Sequence, residues 1–81
     1  MTDKPLMIGR SKDAGVPLLS RKVSRVQCLI ALQRDGSYIL VDLHSTNGTR
    51  VNDRLLLGKE AVLQVYDRIA IGDAQFIFKM L

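Results

Sequence analysis

Cys28-Leu29-Ile30-Ala31-Leu32-Gln33-Arg34, then Asp35-Gly36, then Ser37-Tyr38-Ile39-Leu40-Val41-Asp42: two apolar, branched runs flank an Asp-Gly pair. A tight primed turn needs residues that tolerate positive φ, so this arrangement predicts a β-hairpin. Both runs are apolar on both faces near their middles. That predicts a sheet covered on each side, as in a sandwich.

The rest of the chain keeps the same rhythm. Thr49-Arg50-Val51 reads as a short strand, Asn52-Asp53 as a turn and Leu55-Leu56-Leu57 as the returning strand. Gly58-Lys59-Glu60 is a further break. Ala61-Val62-Leu63, Arg68-Ile69-Ala70-Ile71 and Gln75-Phe76-Ile77-Phe78-Lys79 complete the series, with Gly72-Asp73 between the last two. Turn signals recur about every 8–12 residues, the spacing of a sandwich or barrel. Residues 60–66 could form one helical turn, but Val62 and Val65 are indifferent helix formers and no cap precedes them. Residues 11–23 carry Gly15 and Pro17 and read as a loop or broken strand held by Val16, Leu18 and Leu19. The expected fold is all-β, a sandwich of short antiparallel strands with its ligand loops at one end.

With 81 residues the chain makes one domain, residues 1–81. A domain of this size buries only roughly 60–65% of the surface its unfolded chain exposes, so the core is thin. Leu, Ile and Val must supply it, because there are two Tyr, two Phe and no Trp. The formal charge of +4 favours an anionic partner without choosing among nucleic acid, acidic lipid and phosphorylated peptide. Cys28 is the only cysteine, so no internal disulfide forms, which fits a reducing compartment and a cytoplasmic location. The N-terminus lacks the apolar run of a signal peptide, and no stretch reaches the ~20 apolar residues of a membrane span.

Three separated pieces put polar side chains at strand ends: Ile8-Gly9-Arg10-Ser11, Val23-Ser24-Arg25-Val26-Gln27, and Asp42-Leu43-His44-Ser45-Thr46-Asn47-Gly48-Thr49. In a sandwich, loops of this kind gather at one end. Arg10 offers a planar fork of donors that matches a phosphate. Ser24 and Thr46 offer hydroxyl donors, and Asn47 an amide that can clamp an extended backbone. Arg21, Lys22 and Arg25 surround the serine with positive charge. Gly9 and Gly48 let the chain turn sharply beside these groups.

The order G-R, S-R-x-x, D-L-x-S-T-N-G-T, V-N and Y-D-R-I-A-I-G resembles a forkhead-associated (FHA) domain from Ile8 to Phe78. The string STNGT with its flanking DL and VN is specific; GR alone is not. The resemblance implies a β-sandwich that binds phosphothreonine in a partner protein of a kinase signalling pathway. It implies phosphate contacts from Arg10, Ser24 and Thr46, and peptide-backbone contacts from Asn47 and Arg25. Gly9, Lys22, Gln27, Gly48 and Asn52 would support the site, Asn52 by bracing the neighbouring turn. Two departures stand out. Gln27 occupies the place where the family usually has His, a bracing position. Only eight residues precede Gly9, where family members usually have about two strands. Either the first strands are absent, or the sheet has an uncovered edge that invites pairing, for instance as a homodimer.

Other chemistry fits less well. Cys28 sits in an apolar strand and reads as an inert core thiol. Asp42, His44 and Ser45 are nearly consecutive loop residues, which rarely give base–nucleophile geometry, so no catalytic residue is assigned. One His, one Cys and scattered carboxylates give no metal site, and no cofactor is implied. The basic cluster has no interleaved aromatics to stack bases, which argues against nucleic acid. Two further readings remain. One is an assembly module with the same fold that binds without phosphate. The other is a nucleic-acid binder acting by charge alone.

Overall fold

The computed structural model describes residues 4–79. Among them there are nine strands and no helix: β1 Leu6–Gly9, β2 Val16–Pro17, β3 Cys28–Leu32, β4 Tyr38–Asp42, β5 Thr49–Val51, β6 Arg54–Leu56, β7 Glu60–Leu63, β8 Arg68–Ile71 and β9 Ala74–Ile77. They make a five-stranded sheet in the order β2-β1-β3-β4-β7 and a four-stranded sheet in the order β6-β5-β8-β9. The architecture is the expected all-β sandwich. One pairing departs from the antiparallel rule: β2 runs parallel to β1, Ile8 opposite Val16. Pro17 ends this two-residue strand, since proline cannot donate to a ladder.

The hairpin closes differently from the primed turn its sequence predicts. A primed type I turn needs positive φ at both central residues. Here only Gly36 has it, at 90°. The loop is instead Arg34-Asp35-Gly36, closed by Gly36 N–H on the Gln33 carbonyl at 3.1 Å and Gln33 N–H on the Ser37 carbonyl at 2.8 Å. Asp35 accepts from the Ser37 amide and hydroxyl at 2.9 and 2.6 Å. An Asp that satisfies the residue just before the next strand favours a three-residue loop over a two-residue one.

Alternation along the strands builds the core. Ile8, Cys28, Ile30, Leu40 and Leu63 point inward from the larger sheet, and Val51, Leu56, Ile69 and Ile71 from the smaller, with Val23 joining from a loop. Tyr38 and Phe78 meet edge-on at 5.5 Å between centroids, tying β4 to the end of β9. The expectation of a sheet covered on both faces holds for one face only. On the outer face, Met7, Leu29 and Val41 form one cross-strand row, and Ala31, Ile39 and Val62 another. None of the six belongs to the buried core, and Val62 is 52% exposed. Mutual contact leaves Leu29, Ala31, Ile39 and Val41 half-buried.

Cys28 is fully buried beside β1 and β4. Burial pushes its thiol up to about 12, against a smaller downward pull from the Thr49 hydroxyl; the nearby Asp42 charge adds to the rise. The thiolate is the reactive form. Cys28 in the native protein should therefore resist iodoacetamide at pH 8 and react only on unfolding. Native-state alkylation at the rate of a free thiol would contradict this placement.

Candidate functional site

The ends of β1, β3 and β4 and the start of β5 bring the three sequence pieces together. Arg10 N–H donates to the Ser24 carbonyl at 2.9 Å, and Ser11 N–H to the Arg25 carbonyl at 3.3 Å. Gly9 is required by this approach. A Cβ there would run into the Arg25 carbonyl oxygen. The Thr46 amide donates to the Ser24 hydroxyl oxygen at 2.9 Å. Asn47 donates its side-chain amide to the Lys22 carbonyl at 3.0 Å. Arg10, Ser24, Thr46 and Asn47 thus share one end of the sandwich, on loops held to one another by main-chain bonds and by the Ser24 and Asn47 side chains.

Arg10, Thr46 and Asn47 are exposed. Ser24 is half-buried, and the bond from Thr46 uses an acceptor lone pair of its hydroxyl, leaving the proton to donate. Arg10, Arg21 and Arg25 are exposed and, among the described residues, make no ion pair. Lys22 behaves otherwise. Its ammonium lies 3.0 Å from Asp73, an exposed pair of little energetic weight. Asn47, Gly48, Lys22 and Arg50 line a shallow hollow beside these loops.

A buried relay holds the loops from beneath. Gln27 is fully buried; its side-chain Oε1 accepts from Ser24 N–H at 2.9 Å, and its side-chain Nε2 donates to the Gly48 carbonyl at 2.8 Å and the Thr49 hydroxyl oxygen at 3.1 Å. Thr49 passes its own proton to Asp42 at 2.8 Å. Asp42 also accepts from the Ser45 hydroxyl at 2.6 Å, the Ser45 amide at 3.1 Å and the Gly58 amide at 2.8 Å. Every buried side-chain polar atom among the described residues has a partner. The relay joins the serine loop, the STNGT loop and the Gly58 turn. Gln27 was expected as a support; Asp42, Ser45 and Thr49 were not. The Asp-x-x-Ser spacing, an Asp accepting from an amide a few residues on, was the available signal.

Burial pushes the Asp42 carboxyl up. The Ser45 hydroxyl, Gly58 amide, Thr49 hydroxyl and Ser45 amide together outweigh that and hold its pKa below the ordinary Asp value. A carboxyl depressed in the folded state contributes stability that is present above the unfolded pKa, about 3.9, and is lost as pH falls through the folded pKa. Stability should therefore fall as pH drops below about 4. Denaturant midpoints between pH 6 and pH 2.5 would show it. An Asp42→Asn variant should show a flatter decline over that range.

These features coincide with a family profile, described as FHA domain, that matches residues 6–72. The chain belongs to the FHA domain family. Solved structures agree. An FHA domain from work on phosphothreonine-dependent FHA interactions superposes with a TM-score of 0.86 at 33% identity, over 100% of this chain and 81% of that one. Mycobacterium tuberculosis EmbR, solved with a low-affinity phosphopeptide, gives 0.83 at 32% over 93% of this chain, which spans only 19% of EmbR. The N-terminal FHA domain of Rad53p from S. cerevisiae, solved with a phosphothreonine peptide, gives 0.79 at 27% over 93% of this chain and 68% of that one. No curated protein sequence matches the chain.

Within the FHA fold the other candidates fall into place. Ser45 is buried against Asp42, so its hydroxyl is engaged there and not by His44, which is exposed. Asn52, with φ at 49°, braces the turn at the far end of β5, about 10 Å of strand from Thr49. There it donates to Asp67 at 2.8 Å and accepts from the Arg68 amide at 2.9 Å. Among the described residues no His, Cys, Asp or Glu cluster has the makings of a metal site, and no helix is long and apolar enough to cross a membrane.

Proposed function

We propose that this FHA domain is a phosphothreonine-dependent interaction module for a phosphorylated segment of a signalling partner. The observation that carries the reading is the Ser24 hydroxyl, which accepts from the Thr46 amide and keeps its own proton for a ligand, on loops that also carry Arg10 and Arg25, neither of which is ion-paired among the described residues. The phosphate sits against Arg10, Ser24 and Thr46. The peptide backbone runs past Asn47 and Arg25, while Gly9, Lys22, Gln27 and Gly48 fix the loop geometry. Two or three charge-assisted bonds of about 1.5–3 kcal/mol each favour the phosphorylated peptide by roughly 10²-fold or more. The choice of threonine rests on the phosphothreonine peptide held by the Rad53p domain. Gln27 bonds to both ligand loops, which supports a competent site despite the family's usual His.

Titration with degenerate phosphothreonine, phosphoserine and unphosphorylated peptide pools tests the reading. The phosphothreonine pool alone should bind, with amide NMR shifts centred on Arg10, Ser24 and Asn47, and binding should weaken with salt. No binding in any pool would leave the phosphate-independent assembly module as the reading. Equal binding of all pools with a steep salt slope would mark a charge-driven binder.

A further inference from the structure

The chain has two asparagines, and the structure holds them differently. Asn52 is held at both ends of its side-chain amide: it donates to Asp67 at 2.8 Å and accepts from the Arg68 amide at 2.9 Å. Asn47 is exposed, and its side chain makes one bond among the described residues, donating to the Lys22 carbonyl at 3.0 Å. The following residues differ too. Asp53 follows Asn52, whereas Gly48 follows Asn47. Gly48 has no Cβ to crowd an approach to its nitrogen, and among the described residues its N–H meets no acceptor. Gly48 is largely covered, but together with Asn47 it lines the shallow hollow beside the ligand loops, through which solvent reaches the pair.

We infer that Asn47 is a site of spontaneous deamidation, and that the conversion silences the ligand loop. The Gly48 nitrogen gives its proton to hydroxide and attacks Asn47 Cγ. A C–N bond forms, the Cγ–Nδ2 bond breaks, and Nδ2 leaves as ammonia after taking a proton from water. The product is a five-membered cyclic imide. Water then opens either of the ring's two C–N bonds, giving aspartate or isoaspartate. No oxidant or reductant takes part.

The surrounding bonds make both products disruptive. Aspartate sets a charged oxygen against the Lys22 carbonyl, where the amide donated, and puts a negative charge on the loop that carries Thr46. Isoaspartate adds one carbon to the main chain between two anchored points. On one side the Thr46 amide donates to the Ser24 hydroxyl at 2.9 Å; on the other the Gly48 carbonyl accepts from Gln27 at 2.8 Å. The longer chain puts strain on both bonds. The loss of phosphopeptide rests on the proposed function; the conversion and the loosening of the loop do not.

The test incubates the 81-residue chain in mildly alkaline buffer beside a capped Ser-Thr-Asn-Gly-Thr peptide, with conversion followed by mass spectrometry of proteolytic fragments. The Asn47 bond to Lys22 and one loop anchor must open for the attack, and two such bonds slow the step by about 10²-fold at most. Asn47 in the folded chain should therefore convert no more than about 10²-fold more slowly than the peptide, and ahead of Asn52. A slower conversion, or earlier conversion at Asn52, would overturn the inference. Asn47→Gln does not close the five-membered ring, so the mass change in that fragment should disappear; its persistence would place the reaction elsewhere. The converted protein, separated by ion exchange, should show shifted amide resonances for Ser24 and Gln27 and bind the phosphothreonine pool at least about tenfold more weakly than fresh protein. Unshifted resonances would overturn the silencing. Fresh protein that binds no pool would refute the phosphothreonine reading alone, because mass and resonances still report the conversion and its effect on the loops.

Discussion

Arg10→Ala should weaken binding of a phosphothreonine peptide by about 10²-fold while leaving the protein folded as before. Both halves of this outcome come from what Arg10 touches. Its side chain is exposed, and among the described residues it makes no hydrogen bond and no ion pair. Only its amide is used within the fold, on the Ser24 carbonyl, and alanine keeps that bond. The side chain is therefore free to bind, and its removal costs the scaffold little. The loss in binding is large because a guanidinium can place two parallel donors on one phosphate. Two charge-assisted bonds at about 1.5 kcal/mol each amount to some 3 kcal/mol, or roughly two decades in affinity. Arg10→Lys keeps the charge but not the fork, so it should fall between the two. Fluorescence anisotropy with a labelled phosphopeptide measures the loss, and circular dichroism with thermal melting checks the fold. Affinity within threefold of the parent would move the phosphate away from Arg10.

Much of this was readable along the chain, and the reasons differ by element. β5 and β8 stand where their residues predict, because each is a short branched run bounded by strong turn residues. β3 and β4 pair as a hairpin, but the loop type was not legible. Asp35 engages Ser37 rather than adopting positive φ, a choice between two local bonding patterns that Asp-Gly permits equally. β2 was legible only as part of a loop or broken strand: two residues ending in Pro17 carry no period, and the parallel partner arrives across a loop. The apolar outer face of β3 and β4 misled, since a half-buried cross-strand row resembles a covered face when only composition is seen. The exposed candidate residues were picked out as types, because phosphate chemistry demands Arg, hydroxyls and amides. The relay beneath was not. Gln27, Thr49 and Asp42 are separated along the chain, and only the closing of β3, β4 and β5 brings them into contact.

Asp42→Ala should cost about 3 kcal/mol and lower the melting temperature by about 12–24 °C. Asp42 is 2% exposed and accepts four hydrogen bonds, two from hydroxyls and two from amides. Removing the acceptor strands four donors, and each buried donor left unmade costs about 1–3 kcal/mol. Rotation of the Ser45 and Thr49 hydroxyls toward other acceptors relieves part of that, so the total falls just below the lower end of the sum. For an 81-residue domain, with about 0.05–0.15 kcal/mol of stability per residue, such a loss is a large share of the whole. Binding should fall as well, although Asp42 never meets the peptide. Thr49 would lose the acceptor that orients its hydroxyl, and Gln27 would lose its fixed partner. The Ser24 and Thr46 loops would then sample other arrangements. The signature is a weaker phosphopeptide affinity that recovers as temperature is lowered, with the salt dependence unchanged because no phosphate contact has been deleted. Gln27→Ala should couple to Asp42→Ala in a double-mutant cycle by more than about 0.5 kcal/mol, since both act on the same Thr49 hydroxyl. Additive effects, or a melting temperature within a few degrees of the parent for Asp42→Ala, would mean that the loops are held by their main-chain bonds alone.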